Sequence, residues 1–328
     1  MIPTVFAAIN HSLGVSIVVS AILYGTPLVF AGIGELLTER SGVLNLGVEG
    51  MMLVGAVTAF LVSQKLGGPA WLALSAALVM AALAGVVLAL IHSFVTITMR
   101  ANQIVSGLTL SIFAGIIGLS SYIGDSNNLG GIAGKHQFND LNVFGLKNAP
   151  VVGPILFHQP ALVYLSWLIV GVSLIYLYRT RTGLYLRSVG EAPQAADAMG
   201  INVTRYRYVH TLIGGALAGI GGACFTLMIQ HNWIDGLTNG AGWIAIALVI
   251  FSFWRPELLI LGAYLFGAFS GIGFDLQARH VTAIPPDFWG ALPYLMTIVA
   301  LVLVSVGSVR RRLGTPAALG TPYVREES

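Results

Sequence analysis

The run Ala70-Trp71-Leu72-Ala73-Leu74-Ser75-Ala76-Ala77-Leu78-Val79-Met80-Ala81-Ala82-Leu83-Ala84-Gly85-Val86-Val87-Leu88-Ala89-Leu90-Ile91-His92-Ser93-Phe94-Val95-Thr96-Ile97-Thr98 contains no Asp, Glu, Lys or Arg. Rising 1.5 Å per residue, a helix of this length exceeds the hydrocarbon core of a bilayer, roughly 30 Å thick, which about 20 apolar residues already span. Charge-free windows recur on both sides of it. They predict helices near 14–34, 46–63, 70–98, 103–123, 160–178, 208–231, 241–254, 258–276 and 290–309. The seventh is short for a crossing, so either the helix is broken or its bounds lie elsewhere. The expected fold class is an all-α integral membrane protein, a polytopic bundle of about 8–10 transmembrane helices with at least one broken helix.

Composition agrees. Only 9% of the 328 residues are charged and 56% are hydrophobic, and the mean hydropathy is +0.84. A soluble chain carries about 25% charged residues, so lipid, not water, is the expected main solvent. Length alone suggests two domains under a soluble prior. A single transmembrane domain over 1–309 with a cytoplasmic tail over 310–328 is the simpler division. The net charge of +3 includes no basic run suited to a nucleic-acid polymer. Cys224, the single cysteine, rules out a disulfide within the chain and reads as a small packing residue. The first 34 residues carry no charge, so the positive region of a cleavable leader is missing and the first apolar stretch is expected to stay in the membrane.

Arg and Lys in short loops mark the cytoplasmic side. The 179–207 segment holds Arg179, Arg181, Arg187, Arg205 and Arg207, and the last helix is followed by Arg310-Arg311-Arg312. An even number of spans separates the two, so both fit inside. Working outward, Arg40, Arg100 and Arg255 also fall inside, whereas Lys65, Lys135, Lys147 and Arg279 fall outside. Counting Arg325, twelve basic residues are inside and four outside. The one long external loop, about 124–159, reads as a lid, a docking surface or a solvated connection.

Small residues recur at helical spacing in Gly107/Ser111/Gly115, Ala81/Gly85/Ala89, Gly215/Gly219 and Ala263/Gly267/Gly271. Lipid provides no hydrophobic drive between helices, so such stripes allow the close approach that packing requires. Internal packing is the expected use, with dimerisation the alternative.

Three stretches are too polar for simple spans. In Gly34-Glu35-Leu36-Leu37-Thr38-Glu39-Arg40-Ser41-Gly42-Val43-Leu44-Asn45-Leu46-Gly47-Val48-Glu49-Gly50-Met51-Met52, Gly and polar content argue against a continuous lipid-facing helix. Glu49 and Asp275 are the intramembrane acids this reading recognises. Glu49 either lines a pore or pairs internally, with Arg40 or a neighbouring helix. In Arg100-Ala101-Asn102-Gln103-Ile104-Val105-Ser106-Gly107, Asn102 fits an N-cap, and Gln103 and Ser106 fit either a cavity wall or helix packing. In 182–201, Pro193 suits the first turn of a short helix running to Met199, and Gly200 its stop. Ala195, Ala196 and Ala198 would give it a small-sided surface that another protein can approach closely. A plain interfacial helix is the alternative.

The chain has no P-loop. Gly130-Gly131-Ile132-Ala133-Gly134-Lys135-His136 has the wrong spacing and lacks the hydroxyl that meets magnesium. No His or carboxylate spacing marks a metal site, and no nucleophile–base pair marks an enzyme.

The run Gln194-Ala195-Ala196-x-x-x-Gly200 resembles the "EAA…G" loop of ABC importer permeases, with Gln in place of the first Glu. The run 39–50 looks like the signature of the branched-chain amino acid, ribose and nucleoside permease superfamily. Residues 100–107 and Gly214-Gly215-Ala216-Leu217-Ala218-Gly219 are similar to further motifs of this superfamily, and the tail Pro316-Ala317-Ala318-Leu319-Gly320-Thr321-Pro322-Tyr323 resembles that of the smaller permease of bacterial nucleoside uptake systems. The resemblance runs from about residue 30 to 323. It implies a bacterial cytoplasmic-membrane subunit paired with a second related permease. A cytoplasmic ABC ATPase would carry ATP and Mg, leaving this chain without a cofactor, and an external binding lipoprotein of the basic membrane protein type would deliver substrate. Coupling would use Glu191, Gln194, Ala195, Ala196 and Gly200. The expected cargo is a nucleoside, crossing along Asn45, Glu49, Asn102, Gln103 and Ser106. The alternatives are a simple sugar such as ribose or galactose, or a secondary transporter driven by an ion gradient.

Overall fold

A computed structural model describes residues 13–115, 118–278, 286–305 and 314–324. Residues 1–12, Arg279, Arg310-Arg311-Arg312 and Arg325 lie outside the described residues, as does the side chain of Asp275. In chain order the helices are α1 (Leu13–Arg40), α2 (Val48–Lys65), α3 (Ala70–Ser93), α4 (Gln103–Ala114), α5 (Leu119–Ser126), α6 (Ala161–Arg179), α7 (Arg181–Glu191), α8 (Pro193–Ala198), α9 (Val203–Cys224), α10 (Ala241–Phe251), α11 (Pro256–Ala278) and α12 (Pro286–Ser305). π-helical turns extend α3 through Phe94–Thr98 and α9 through Phe225–Ile229. The protein is an all-α, multi-pass membrane protein: among the described residues, six helical segments are long and apolar enough to cross a bilayer.

Bounds shift by up to five residues elsewhere, as at the start of α9, and three departures from the predicted windows have a local reason. α1 runs to Arg40, six residues past the window that ended at 34, because residues 34–39 are buried in the bundle and need no lipid-compatible surface. This corrects the tally of intramembrane acids: Glu35 and Glu39 are both 1% exposed, inside the bundle with Glu49. The fourth window is split, α4 ending at Gly115 and α5 starting after Gly118. The seventh shrinks to the 11 residues of α10, about 16 Å long and near half a crossing.

α9 is the hub, packing on α1, α2 and α3 through the glycine stripes. A Cβ on Gly85 would strike the Gly215 carbonyl oxygen, and one on Gly219 the Ala81 carbonyl oxygen. Gly34 meets Gly214, Gly55 meets Gly219, and Gly222 lies on Met52. Gly25, Gly267 and Ala263 close a second seam between α1 and α11. Ser111 and Gly107 pack on Leu46, the Ser111 hydroxyl donating to its carbonyl at 2.8 Å. The stripes serve internal contacts, which lets backbones touch and gives dispersion and packing the role that water-driven burial has in soluble cores.

The long loop folds over one end of the bundle. Strands β1 (Asp140–Asn142) and β2 (His158–Pro160) pair antiparallel. Gly134 N–H donates to His231 O at 2.7 Å, Phe138 N–H to Leu227 O at 2.8 Å, and Lys65 reaches Asn127 at 2.5 Å. At the opposite end, Arg40 donates to the carbonyls of Trp254 (3.0 Å) and Gly314 (3.2 Å). The two ends are those the arginine count separated.

Gly219→Leu should force α9 off α3 and cost at least about 3 kcal/mol, read as a lower unfolding temperature in detergent. Gly171→Ala, on α6 with nothing within 4 Å of the new methyl, should be neutral or stabilising by up to about 1 kcal/mol.

Candidate functional site

The half-helix α10 has its N-terminus inside the bundle, where its first N–H groups have no helical partners. Glu49, in the first turn of α2, supplies them. Its Oε1 accepts from the Thr238 hydroxyl (2.6 Å) and Gly240 N–H (2.9 Å), and its Oε2 from Gly242 N–H (2.7 Å). An anion at a helix N-terminus also meets the positive end of the dipole. At the other end of α10, Trp254 Nε1–H donates to Glu39 Oε2 at 2.5 Å, beside Arg40. α10 thus runs from the arginine-rich end to about the mid-depth of the bundle. Glu49 makes no pair with Arg40, whose guanidinium goes to two carbonyls instead.

The other path candidates gather around the re-entrant turn 41–47. Asn45 is 1% exposed. Its N–H donates to Glu35 Oε1 at 3.1 Å, its Oδ1 accepts from Gly47 N–H at 3.0 Å, and its Nδ2 donates to Met51 Sδ at 3.5 Å. Buried Gln103 accepts Leu44 N–H at 2.7 Å through Oε1, while its Nε2 finds no partner among the described residues. His92 stands between the Ser106 hydroxyl (3.0 Å) and the Leu44 carbonyl (3.1 Å). Asn102 is exposed and caps α4, accepting from Val105 N–H at 3.1 Å. Asn45, Gln103 and Ser106 therefore share one network, with Glu49 on the far side of Asn45 and Asn102 at the rim.

Beside the α10 N-terminus is a cavity of about 430 Å³, bordered by Tyr24, Phe225, Gln230, Thr238, Asn239 and Tyr294 among others. Leu237, Thr238 and Asn239 in its wall belong to irregular backbone in which Gly236, Asn239 and Gly240 have positive φ. Non-helical backbone at membrane depth is tolerated where it lines such a space.

At the arginine-rich end, α8 takes the predicted form, Pro193 in its first turn and Gly200 at φ 82° as its stop. Gly200 N–H donates to Asp197 O at 2.8 Å and Ile201 N–H to Ala196 O at 3.0 Å, the paired bonds of a Schellman ending. Ala196 points inward onto Val189 and Val203, whereas Gln194, Ala195, Ala198 and Gly200 are exposed. The segment 314–324 packs Tyr323 against the same cluster and fastens the residues just before α8. Ala318 N–H donates to Gly190 O (2.9 Å), Ala317 N–H to Glu191 Oε2 (3.3 Å), Gly320 N–H to Gly42 O (3.3 Å), and Arg207 to Thr321 O (3.0 Å).

A short helix with a small exposed face on a bundle with broken spans is the arrangement against which known proteins can be compared. The family described as the branched-chain amino acid transport system permease component matches residues 17–301. The chain belongs to this family. It is 35% identical to the nucleoside ABC transporter permease protein NupC of Lactococcus lactis subsp. cremoris, over 95% of this chain and 97% of that one. It is 37% identical to the guanosine ABC transporter permease protein NupQ of Bacillus subtilis, over 94% and 96%. It is 38% identical to TsgC13 of Haloferax volcanii, provisionally named a glucose ABC transporter permease protein, over 92% and 95%. No solved structure matches. The protein is an ABC transporter permease of the nucleoside and sugar type.

In this permease, sequence reasoning missed the cavity because its polar residues come from four separate segments with no shared spacing. One signal was present: Asn239-Gly240 just before a window too short to cross is a turn signature, and so a place where a span can break inside the membrane. The tail brace was missed for another reason, since its hydrogen bonds come from backbone groups that no side-chain pattern reports.

Ending the permease after residue 313 should remove the brace. At about 1 kcal/mol per lost hydrogen bond, amides of residues 190–201 should exchange at least about tenfold faster by hydrogen–deuterium mass spectrometry, with those of α9 near Gly219 unchanged.

Proposed function

We propose that this permease is the membrane subunit of an ATP-driven importer that carries nucleosides across a bacterial cytoplasmic membrane. α8 is its coupling helix. Glu191, Gln194, Ala195, Ala196 and Gly200 form or hold the element that fits a groove on a cytoplasmic ABC ATPase. ATP and Mg belong to that ATPase, and this chain binds no cofactor. A second related permease completes a heterodimer, and an external lipoprotein of the basic membrane protein type delivers the nucleoside. Asn45, Glu49, Asn102, Gln103 and Ser106 border the path, Glu49 by fixing α10, Asn102 by capping α4 at the rim and the others through the turn network.

The observation that carries this reading is the form of α8. A free six-residue helix is unstable in water, yet this one is stopped at both ends, packed through Ala196 and braced by the tail. A part held that firmly transmits force, and at Ala195, Ala198 and Gly200 its exposed face is small-sided, so that a partner's groove can come close there. Support for a nucleoside comes from the names of NupC and NupQ. The name of TsgC13 favours a second reading, import of a simple sugar.

Ala195→Trp and Gly200→Val should each leave the complex able to assemble while uptake falls about tenfold or more, the steric misfit costing 1–3 kcal/mol. ATP hydrolysis should persist without stimulation by the loaded binding lipoprotein. Wild-type uptake in both variants would remove α8 from the coupling role. Uptake by the wild type that persists without ATP and collapses with an uncoupler would replace the importer with an ion-driven transporter.

A further inference from the structure

We infer that the cavity at the α10 N-terminus is a solute site that takes a neutral nucleoside by its base, gripped by the side-chain amides of Gln230 and Asn239, in preference to a hexose. The inference rests on the importer reading above and adds the location and chemistry of the site. At about 430 Å³, the space falls within the usual range of small-molecule pockets, about 300–1,000 Å³. No Asp, Glu, Lys or Arg is among its described lining residues. Glu49, the acid that touches the lining residue Thr238, has its carboxylate committed to three donors at the start of the half-helix. A charged solute would find no counter-ion among these described residues, which favours a neutral cargo.

The donors decide between base and sugar. Three lining hydroxyls already give their hydrogens to protein oxygens: Thr238 to Glu49, Ser270 to Phe266 O at 3.2 Å, and Tyr294 to Asn239 O. The Gln230 and Asn239 amides make no side-chain hydrogen bond to other described residues. A hexose brings five hydroxyls that each need a donor or acceptor, against three on the ribose of a nucleoside, and unmet polar groups are costly once water is removed. A primary amide presents one donor next to one acceptor, the complement of a base edge. Phe225 and Tyr294 add flat faces on which a base can stack. The Asn239 backbone is held in the left-handed region at φ 43°, a conformation Asn tolerates, and Tyr294 pins its carbonyl.

The test uses the complete importer in proteoliposomes, with adenosine, guanosine, uridine and D-glucose as probes at saturating binding lipoprotein. Gln230→Leu removes one amide; Asn239→Gly removes the other and keeps the left-handed backbone. Wild type should carry a nucleoside and not D-glucose. Each variant should lower the maximal uptake rate of that nucleoside about tenfold or more, with ATP hydrolysis still stimulated by loaded lipoprotein. Wild-type nucleoside rates in both variants, or uptake of D-glucose alone, would overturn the assignment. Loss of ATP coupling in the wild type would instead strike the importer reading. Should either variant fail to assemble, photolabelling of the wild-type complex with 8-azidoadenosine or 5-azidouridine decides. Label within residues 225–244 or 286–305 supports the site, and label confined elsewhere overturns it.

Discussion

A single carboxylate holds the broken part of this bundle together. Glu49 reaches from the start of α2 to the start of α10 and accepts hydrogen bonds from Thr238, Gly240 and Gly242. Without it, the first amides of a half-crossing helix would stand at mid-depth with neither water nor backbone to receive them, at a cost of several kcal/mol. The charge is tolerated for the same reason: three donors and a helix dipole replace its hydration. Each buried feature satisfies the other.

The rest of the architecture makes room for that clamp. α9 lies against α1, α2 and α3 with backbones in contact at Gly85, Gly214, Gly215 and Gly219, so the hub is thin and stiff. Space saved there allows the re-entrant turn 41–47, the half-helix and the cavity to fit inside one bundle. The polar turn is itself tied down through Glu35, Gln103 and His92. Stiffness at the hub and irregular backbone beside it suit a transporter, which must carry motion from a driven end to a solute site without losing its packing. In the proposed importer the driven end is the arginine-rich one, where the end of α7, Arg40, Arg207 and the tail are fastened together.

Much of this was legible in the residues. Charge-free windows located most spans, the small-residue stripes marked the seams, and Pro193 and Gly200 gave the ends of α8 because each obeys a local backbone rule. Glu49 was marked as unusual, but its partners were not, since two of its three donors are backbone amides and all lie almost two hundred positions away. Glu35 and Glu39 were left out of the membrane because a hydropathy window ends a helix at its first charges, whereas a helix buried by protein can continue past them. The cavity and the tail brace depend on tertiary placement alone, which no periodicity encodes.

The most direct measurement is hydrogen exchange at the amides of Gly240 and Gly242 in the intact transporter, wild type against Glu49→Ala. A bond to a charged acceptor is worth about 1.5–3 kcal/mol. Both amides should therefore be strongly protected in the wild type and exchange about 10- to 100-fold faster in the variant, with α9 unaffected. Equal exchange in the two proteins would mean that the carboxylate does not hold the half-helix, and the cavity built on that clamp would lose its foundation.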